Sequence, residues 1–212
     1  MYIPKQFRNP NQESIRDFIR QYSFGLLINQ VDNRPYATHI PLELDTNANG
    51  EDVLLGHIAR GNPQWKSFSE TDEVLAIFQG PHAYISSSWY DHENVPTWNY
   101  QAVHAYCSVR IIDGEELLNS LRKLVARYEQ ASVNPISVDT MSEGFLRAEL
   151  RGIVGVELTI RQLQAVDKLS QNRDDKNHQA IIQELTQQTD PQAQAVAVAM
   201  QKGRCPIHPA NS

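Results

Sequence analysis

Three short stretches of this sequence gather side chains suited to holding an anion or a flat ring. The first is Gly56-His57-Ile58-Ala59-Arg60-Gly61-Asn62-Pro63-Gln64-Trp65, where an apolar run ends and a short helical pattern begins. Unpaired backbone N–H groups at a helix start favour negative charge, and His57, Arg60 and Asn62 add side-chain donors. The second runs from Gln79-Gly80-Pro81-His82-Ala83-Tyr84-Ile85-Ser86 through Trp89-Tyr90 to Val95-Pro96-Thr97-Trp98-Asn99-Tyr100. It is dense in aromatic residues with polar tips, and stacking faces with a few hydrogen-bonding groups are what a conjugated ring requires. The third is Lys168-Leu169-Ser170-Gln171-Asn172-Arg173, with two cations and three polar donors between a strand pattern and a helix pattern. Taken singly, each has a plainer use: a turn with an incidental Arg, an aromatic mini-core under a long loop, and a solvated connector.

Other groupings point less far. His39 follows Thr38 on an alternating run and reads as a hydrogen-bonded core or pocket histidine rather than a metal ligand. Asp91-His92-Glu93 are adjacent on a loop, and Cys205 and His208 are too few for a closed zinc site, so no metal is expected. Nucleophile-elbow, zincin, phosphate-loop and dinucleotide-binding signatures are all missing from the sequence. The two cysteines, Cys107 and Cys205, make no disulfide framework.

The elements that must position these groups are short and strand-rich at first. Residues 9–22 read as a helix with Asn9 as N-cap and Pro10 at its first position, burying Ile15, Phe18, Ile19 and Tyr22. Strands are expected at 23–30, 35–44 and 52–59, with a turn at Val31-Asp32-Asn33-Arg34. A short helix follows at 63–69, then strands at 73–79 and 82–86 broken at Gly80-Pro81, a loop over 87–99, and a strand near 102–112. Helices at about 114–131 and 139–150 precede strands at 152–160 and 161–169, and helical patterns fill about 174–202. Strands in hairpin order with helices inserted late predict an α+β fold: one antiparallel barrel of six or seven strands with flanking helices, in a single domain over 1–212.

Apolar residues are 41% of the 212, charged residues 21%, and the net charge is −6. That field repels phosphate backbones and anionic lipid, though it permits a local basic pocket. Met1 to Pro10 holds no apolar signal core and no transmembrane run follows, so a reducing cytoplasm is expected.

Taken in order, the three stretches, with Met1-Tyr2-Ile3-Pro4-Lys5 and Ala37-Thr38-His39-Ile40-Pro41-Leu42, resemble the PaiB family of FMN-binding proteins, described as negative transcriptional regulators, from Met1 to about Met200. The loop at Asp91-His92-Glu93-Asn94 is short against that pattern, and nothing after Lys202 matches it. The resemblance implies a split β-barrel of the pyridoxamine-phosphate-oxidase type, an intertwined homodimer and FMN near the dimer interface. It makes Thr38, His39, His57, Ala59, Arg60, Asn62, Trp65, Trp98, Asn99, Tyr100, Lys168, Ser170, Gln171 and Arg173 the expected cofactor-binding set. Of these, some of His57, Arg60, Asn62, Lys168, Ser170 and Arg173 would hold the phosphate. The regulator description implies DNA contact, but the chain shows no helix-turn-helix and no basic stripe. An FMN-dependent oxidoreductase without a DNA role is one alternative. A haem-binding or haem-degrading split barrel, with a histidine such as His104 on iron, is another.

Overall fold

In the computed structural model, which describes residues 1–70 and 73–202, seven strands form one antiparallel sheet with helices beside it. The strands are β1 (Phe24–Val31), β2 (Arg34–Pro41), β3 (Glu43–Thr46), β4 (Asp52–Ala59), β5 (Val74–Ile85), β6 (Thr97–Ile112) and β7 (Ile153–Lys168). Their order is β2-β1-β5-β6-β7-β4-β3. The helices are α1 (Gln12–Gln21), α2 (Gly114–Glu129), α3 (Glu143–Arg151), α4 (Asp175–Gln187) and α5 (Pro191–Lys202), with a 3₁₀ helix at Pro63–Glu70.

The run expected as one strand over 35–44 is two. β2 pairs with β1 and β3 pairs with β4, at opposite ends of the strand order, yet only Leu42 separates them. A chain can step from one end of a sheet to the other in one residue only if the ends meet, so these strands close a barrel. Leu42 N donates to Ser23 O at 2.8 Å, and its side chain is fully buried at the seam. Gly56 on β4 belongs to the same closure: a Cβ there would sit 2.9 Å from Pro41 O and against Ile40 and Leu42. The turn between β1 and β2 places Asp32 at φ 50° and Asn33 at φ 58°, the left-handed pair of a tight hairpin turn that Asp and Asn tolerate.

By contact density the chain forms two units. The barrel unit, residues 16–78 and 104–163, buries Leu27, Ile40, Leu54, Phe78, Ala105, Cys107 and Leu158. The helical unit, residues 1–15, 79–103 and 164 onward, packs Ile85, Tyr90 and Leu169 with Ile181 and Leu185 of α4 and Val196 and Met200 of α5. The N-terminal segment joins it through an antiparallel bridge from Arg8 to Val166.

Several boundaries differ from the sequence expectation for identifiable reasons. Helix α1 begins at Gln12, because Asn11 Oδ1, not Asn9, caps the N–H groups of Glu13 and Ser14, each at 3.1 Å. Asn9 Oδ1 instead accepts from Asn11 N at 2.9 Å. Strand β5 runs unbroken through Gly80-Pro81, but its buried residues are even-numbered up to Gly80 and odd-numbered from Pro81, so the break appears as a change of inward face. Strand β7 likewise joins the two segments expected at 152–160 and 161–169, surfacing at Arg161 and Gln162. Strand β6 begins at Thr97, which moves Trp98, Asn99 and Tyr100 from the expected loop or its edge onto a strand. Cys205 and His208 lie outside the described residues.

Candidate functional site

In the barrel unit, the turn after β4 is held by a buried amide network. Gln64, fully buried, donates through Nε2 to Leu27 O and Asn29 Oδ1, both at 3.0 Å. Its Oε1 accepts from Thr38 Oγ1 at 2.6 Å, and Thr38 Oγ1 accepts in turn from Asn62 Nδ2 at 2.8 Å. Asn62 Oδ1 accepts from Gln64 N at 3.0 Å and so caps the 3₁₀ helix itself. Arg60 donates from Nε to Arg151 O at the C-terminal end of α3 and from Nη2 to Ile153 O at the start of β7, each at 2.8 Å. Trp65 Nε1 donates to Arg60 O at 2.9 Å, and the guanidinium carbon of Arg60 lies 5.9 Å from the indole centroid.

Thr38, Arg60, Asn62 and Trp65 are thereby brought together around one turn. Ala59 is exposed at its edge. His57 is half-buried on β4, and burial pushes its imidazole pKa below the ordinary value. His39, exposed on β2, stacks on the exposed Phe24 ring at 6.2 Å. The same unit has an open cleft of about 480 Å³ between β1, β5 and β6, lined by Ile28, Asn29, Gln30, Pro35, Glu73, Val74, Leu75 and Tyr106. It contains none of the expected residues.

In the helical unit, the alternation of β6 sorts the expected residues onto two faces. Asn99 is fully buried and exchanges hydrogen bonds with Ser170 Oγ, Nδ2 donating at 3.0 Å and Oδ1 accepting at 3.1 Å. Thr97 Oγ1, two residues earlier on the same face, accepts from Lys168 Nζ at 2.6 Å. Ser170 holds φ 59°, which turns the chain sharply after β7, and Arg173 N donates to Ser170 O at 3.1 Å. Gln171 braces the turn by accepting from Leu169 N at 2.8 Å and donating to Asp167 O. Lys168 has its pKa lowered, first by burial and then by the charge of Arg173. Trp98 and Tyr100 fall on the other face. Trp98, half exposed, meets Tyr84 edge-on at 5.9 Å and His82 at 6.1 Å, making an open aromatic surface.

Two groups from the aromatic stretch that the expected set omitted matter here. Thr97 holds Lys168, and Tyr90 lies under Arg173, whose guanidinium carbon is 5.1 Å from the ring centroid. Gln64 was also omitted, although an amide inside Gly-Asn-Pro-Gln-Trp was the available signal. A dianionic tail and a flat ring fit these donors: Lys168 is cationic beside a second cation, the Tyr90 hydroxyl is buried with no hydrogen-bond partner among the described residues, and aromatic faces stand open.

An antiparallel split barrel with these groups belongs to the flavin-binding class. The chain matches over residues 1–162 the protein family described as "Putative FMN-binding domain". It is 43% identical over 201 residues to "Protease synthase and sporulation protein PAI 2" of Bacillus subtilis, covering 95% of this chain and 97% of that protein. The chain therefore belongs to the PaiB family of FMN-binding proteins. Its fold is shared with the FAD and heme binding protein from Mycobacterium smegmatis, at TM-score 0.59 and 15% identity over 82% of this chain and 78% of the other. The flavocytochrome Anf3 from Azotobacter vinelandii is similar at TM-score 0.59 and 12% identity, over 84% and 78%.

Proposed function

We propose that the chain is a cytoplasmic, homodimeric protein that holds FMN and exchanges electrons through it with a small reductant or acceptor, and that any control of gene expression passes through the state of the flavin. The carrying observation is the open aromatic surface of His82, Tyr84 and Trp98 in the same unit as the cationic turn at Lys168 and Arg173. Bound FMN supplies the redox chemistry, and the protein supplies position and electrostatics. Thr38, His39, His57, Ala59, Arg60, Asn62 and Trp65 form one cofactor-binding group and Trp98, Asn99, Tyr100, Lys168, Ser170, Gln171 and Arg173 the other. A homodimer belongs to this reading because short clusters on one small barrel cannot easily wrap an elongated cofactor, and the family resemblance implies that two chains share it. A net charge of −6 works against direct operator binding.

A second reading, haem on His104, has one observation in its favour: His104 Nδ1 is buried with no hydrogen-bond partner among the described residues, and burial lowers the imidazole pKa. The absorbance spectrum of the freshly purified protein decides between them. Flavin gives bands near about 370 and 450 nm, and haem a Soret band near about 400 nm. A colourless protein that also fails to bind added FMN overturns the proposal. With flavin bound, anaerobic NADH or NADPH should bleach it rapidly, and no reduction by either overturns the redox part.

A further inference from the structure

The open cleft of about 480 Å³ in the barrel unit takes no part in the cofactor set, and its volume is in the range of small-molecule sites. Most of its wall is apolar: Ile28 of β1, Pro35 of β2, Val74 and Leu75 of β5 and the ring of Tyr106 on β6. Ile28 and Leu75 are opposite one another across the β1–β5 ladder, so their side chains share one face. A polar part of the wall is fixed in advance. Asn29, which is buried, accepts at Oδ1 from Gln64 Nε2 at 3.0 Å and donates from Nδ2 to Ser67 Oγ at 2.7 Å. These bonds hold that part of the cleft in shape without a ligand.

The other lining groups select the sign of what could enter. Glu73, exposed just before β5, is the only charged side chain of the lining among the described residues. Acids elsewhere in the barrel unit have cations beside them: Asp52 takes Arg16 at 2.7 Å, Glu51 takes Arg161 at 3.0 Å, and Asp45 takes Lys123. Glu73 has no ion-pair or hydrogen-bond partner among the described residues. Its field is felt on β6, where burial first and Glu73 second push the Cys107 thiol up to about 12. Gln30 is exposed at the cleft and offers an amide oxygen, and Pro35, opposite it on β2, has no backbone N–H to donate. Arg34, next to Pro35 in the chain, is exposed and outside the lining. An anion in this cleft would meet a carboxylate and no cation, whereas a cation would meet acceptors.

We propose that this cleft binds a small organic amine, its apolar body against Ile28, Leu75 and the Tyr106 ring and its ammonium at the Glu73 carboxylate and the Gln30 amide oxygen. Burial of the apolar body supplies most of the affinity, because a carboxylate as exposed as Glu73 adds little alone. The charge sets the preference among ligands of one shape, which is a difference of affinities. The inference stands apart from the FMN reading, since none of the residues expected to hold FMN lines the cleft.

The test uses the full chain, flavin-free and with added FMN, as wild type, Glu73→Gln and Gln30→Lys. Both positions are exposed, so the substitutions spare the core, and thermal unfolding checks that each variant folds. Phenethylamine, phenethyl alcohol and hydrocinnamate, which share a body and differ in charge, are titrated by calorimetry, and methyl NMR of Ile28, Val74 and Leu75 reports where they bind. The expected result is that wild type prefers phenethylamine to hydrocinnamate by about fivefold or more, with shifts at those methyls. Glu73→Gln should bring the amine down to the affinity of the alcohol, and Gln30→Lys should abolish the preference for the amine. An amine that fails to bind at millimolar concentration, binds no better than hydrocinnamate, leaves those methyls unshifted, or binds Glu73→Gln as well as wild type overturns the site. Competition between phenethylamine and FMN would make the cleft part of the flavin site and overturn the proposal of a separate one, while leaving the FMN reading intact. Loss of amine binding when two chains associate would give the cleft to a contact between copies and overturn it too. Amine binding with the expected variant effects in a chain that takes no flavin keeps this site and overturns only the FMN reading.

Discussion

At the scale of single residues, Gln64 does the work of a bolt. Its amide joins Leu27 and Asn29 of β1 to Thr38 of β2, and Asn62 joins the same network. Replacing Gln64 with Leu keeps the volume but leaves the Leu27 carbonyl, the Asn29 amide and the Thr38 hydroxyl short of a partner. We expect a loss of about 2–3 kcal/mol, the scale of stranded buried polar groups, read as a lower urea midpoint at unchanged m-value. His57 gives a pH dependence. Its pKa is below 6.5 in the fold because burial disfavours the cation. The unfolded chain therefore binds more protons between the two values, and stability falls as pH drops from about 6.5 through the folded pKa. His104 is shifted in the same direction by burial. Denaturation at pH 7.5 and 5.5 should show wild type losing stability at the lower pH. His57→Gln should lose less, and an unchanged difference would remove His57 as a contributor.

At the scale of elements, the seam beside Leu42 closes the barrel, and Gly56 makes room for it. A Cβ at Gly56 would meet a backbone oxygen at 2.9 Å, which cannot rotate away as a side chain can. Gly56→Ala should cost about 1–3 kcal/mol, the usual scale of overpacking, and should be read in thermal unfolding as a lower midpoint. A neutral result would mean that β2 and β4 part easily there. In the helical unit, Asn99 plays the matching role by bonding Ser170 and donating to Met200 Sδ at 3.5 Å, which ties β6 to the turn after β7 and to α5. Arg60 does the same between the β4 turn and α3.

At the scale of the whole molecule, no helix among the described residues is long and apolar enough to cross a membrane. The resemblance to the PaiB family implies an assembly of two chains. Sedimentation velocity at micromolar concentration should give a homodimer, and a monomer there would contradict it.

By itself the sequence determined the family, the antiparallel strand-rich fold class with flanking helices and the positions of the polar turns. Those depend on local signals: alternation, helical spacing, turn residues and the ordered stretches from Gly56 to Arg173. The break at Gly80-Pro81 was legible as punctuation, but only the fold turned it into a change of face within one strand. The split at Leu42 was not legible, because Leu continues an alternating apolar run whether or not the chain changes partner strand. The donors of Arg60 and Asn62 looked available for an anion, and the tertiary structure directed them to the carbonyls of residues 151 and 153 and to Thr38. Tyr90 was one aromatic among many until burial left its hydroxyl without a partner. Residue types and spacing show which groups can donate, but only the folded chain decides which donors its own backbone has already taken.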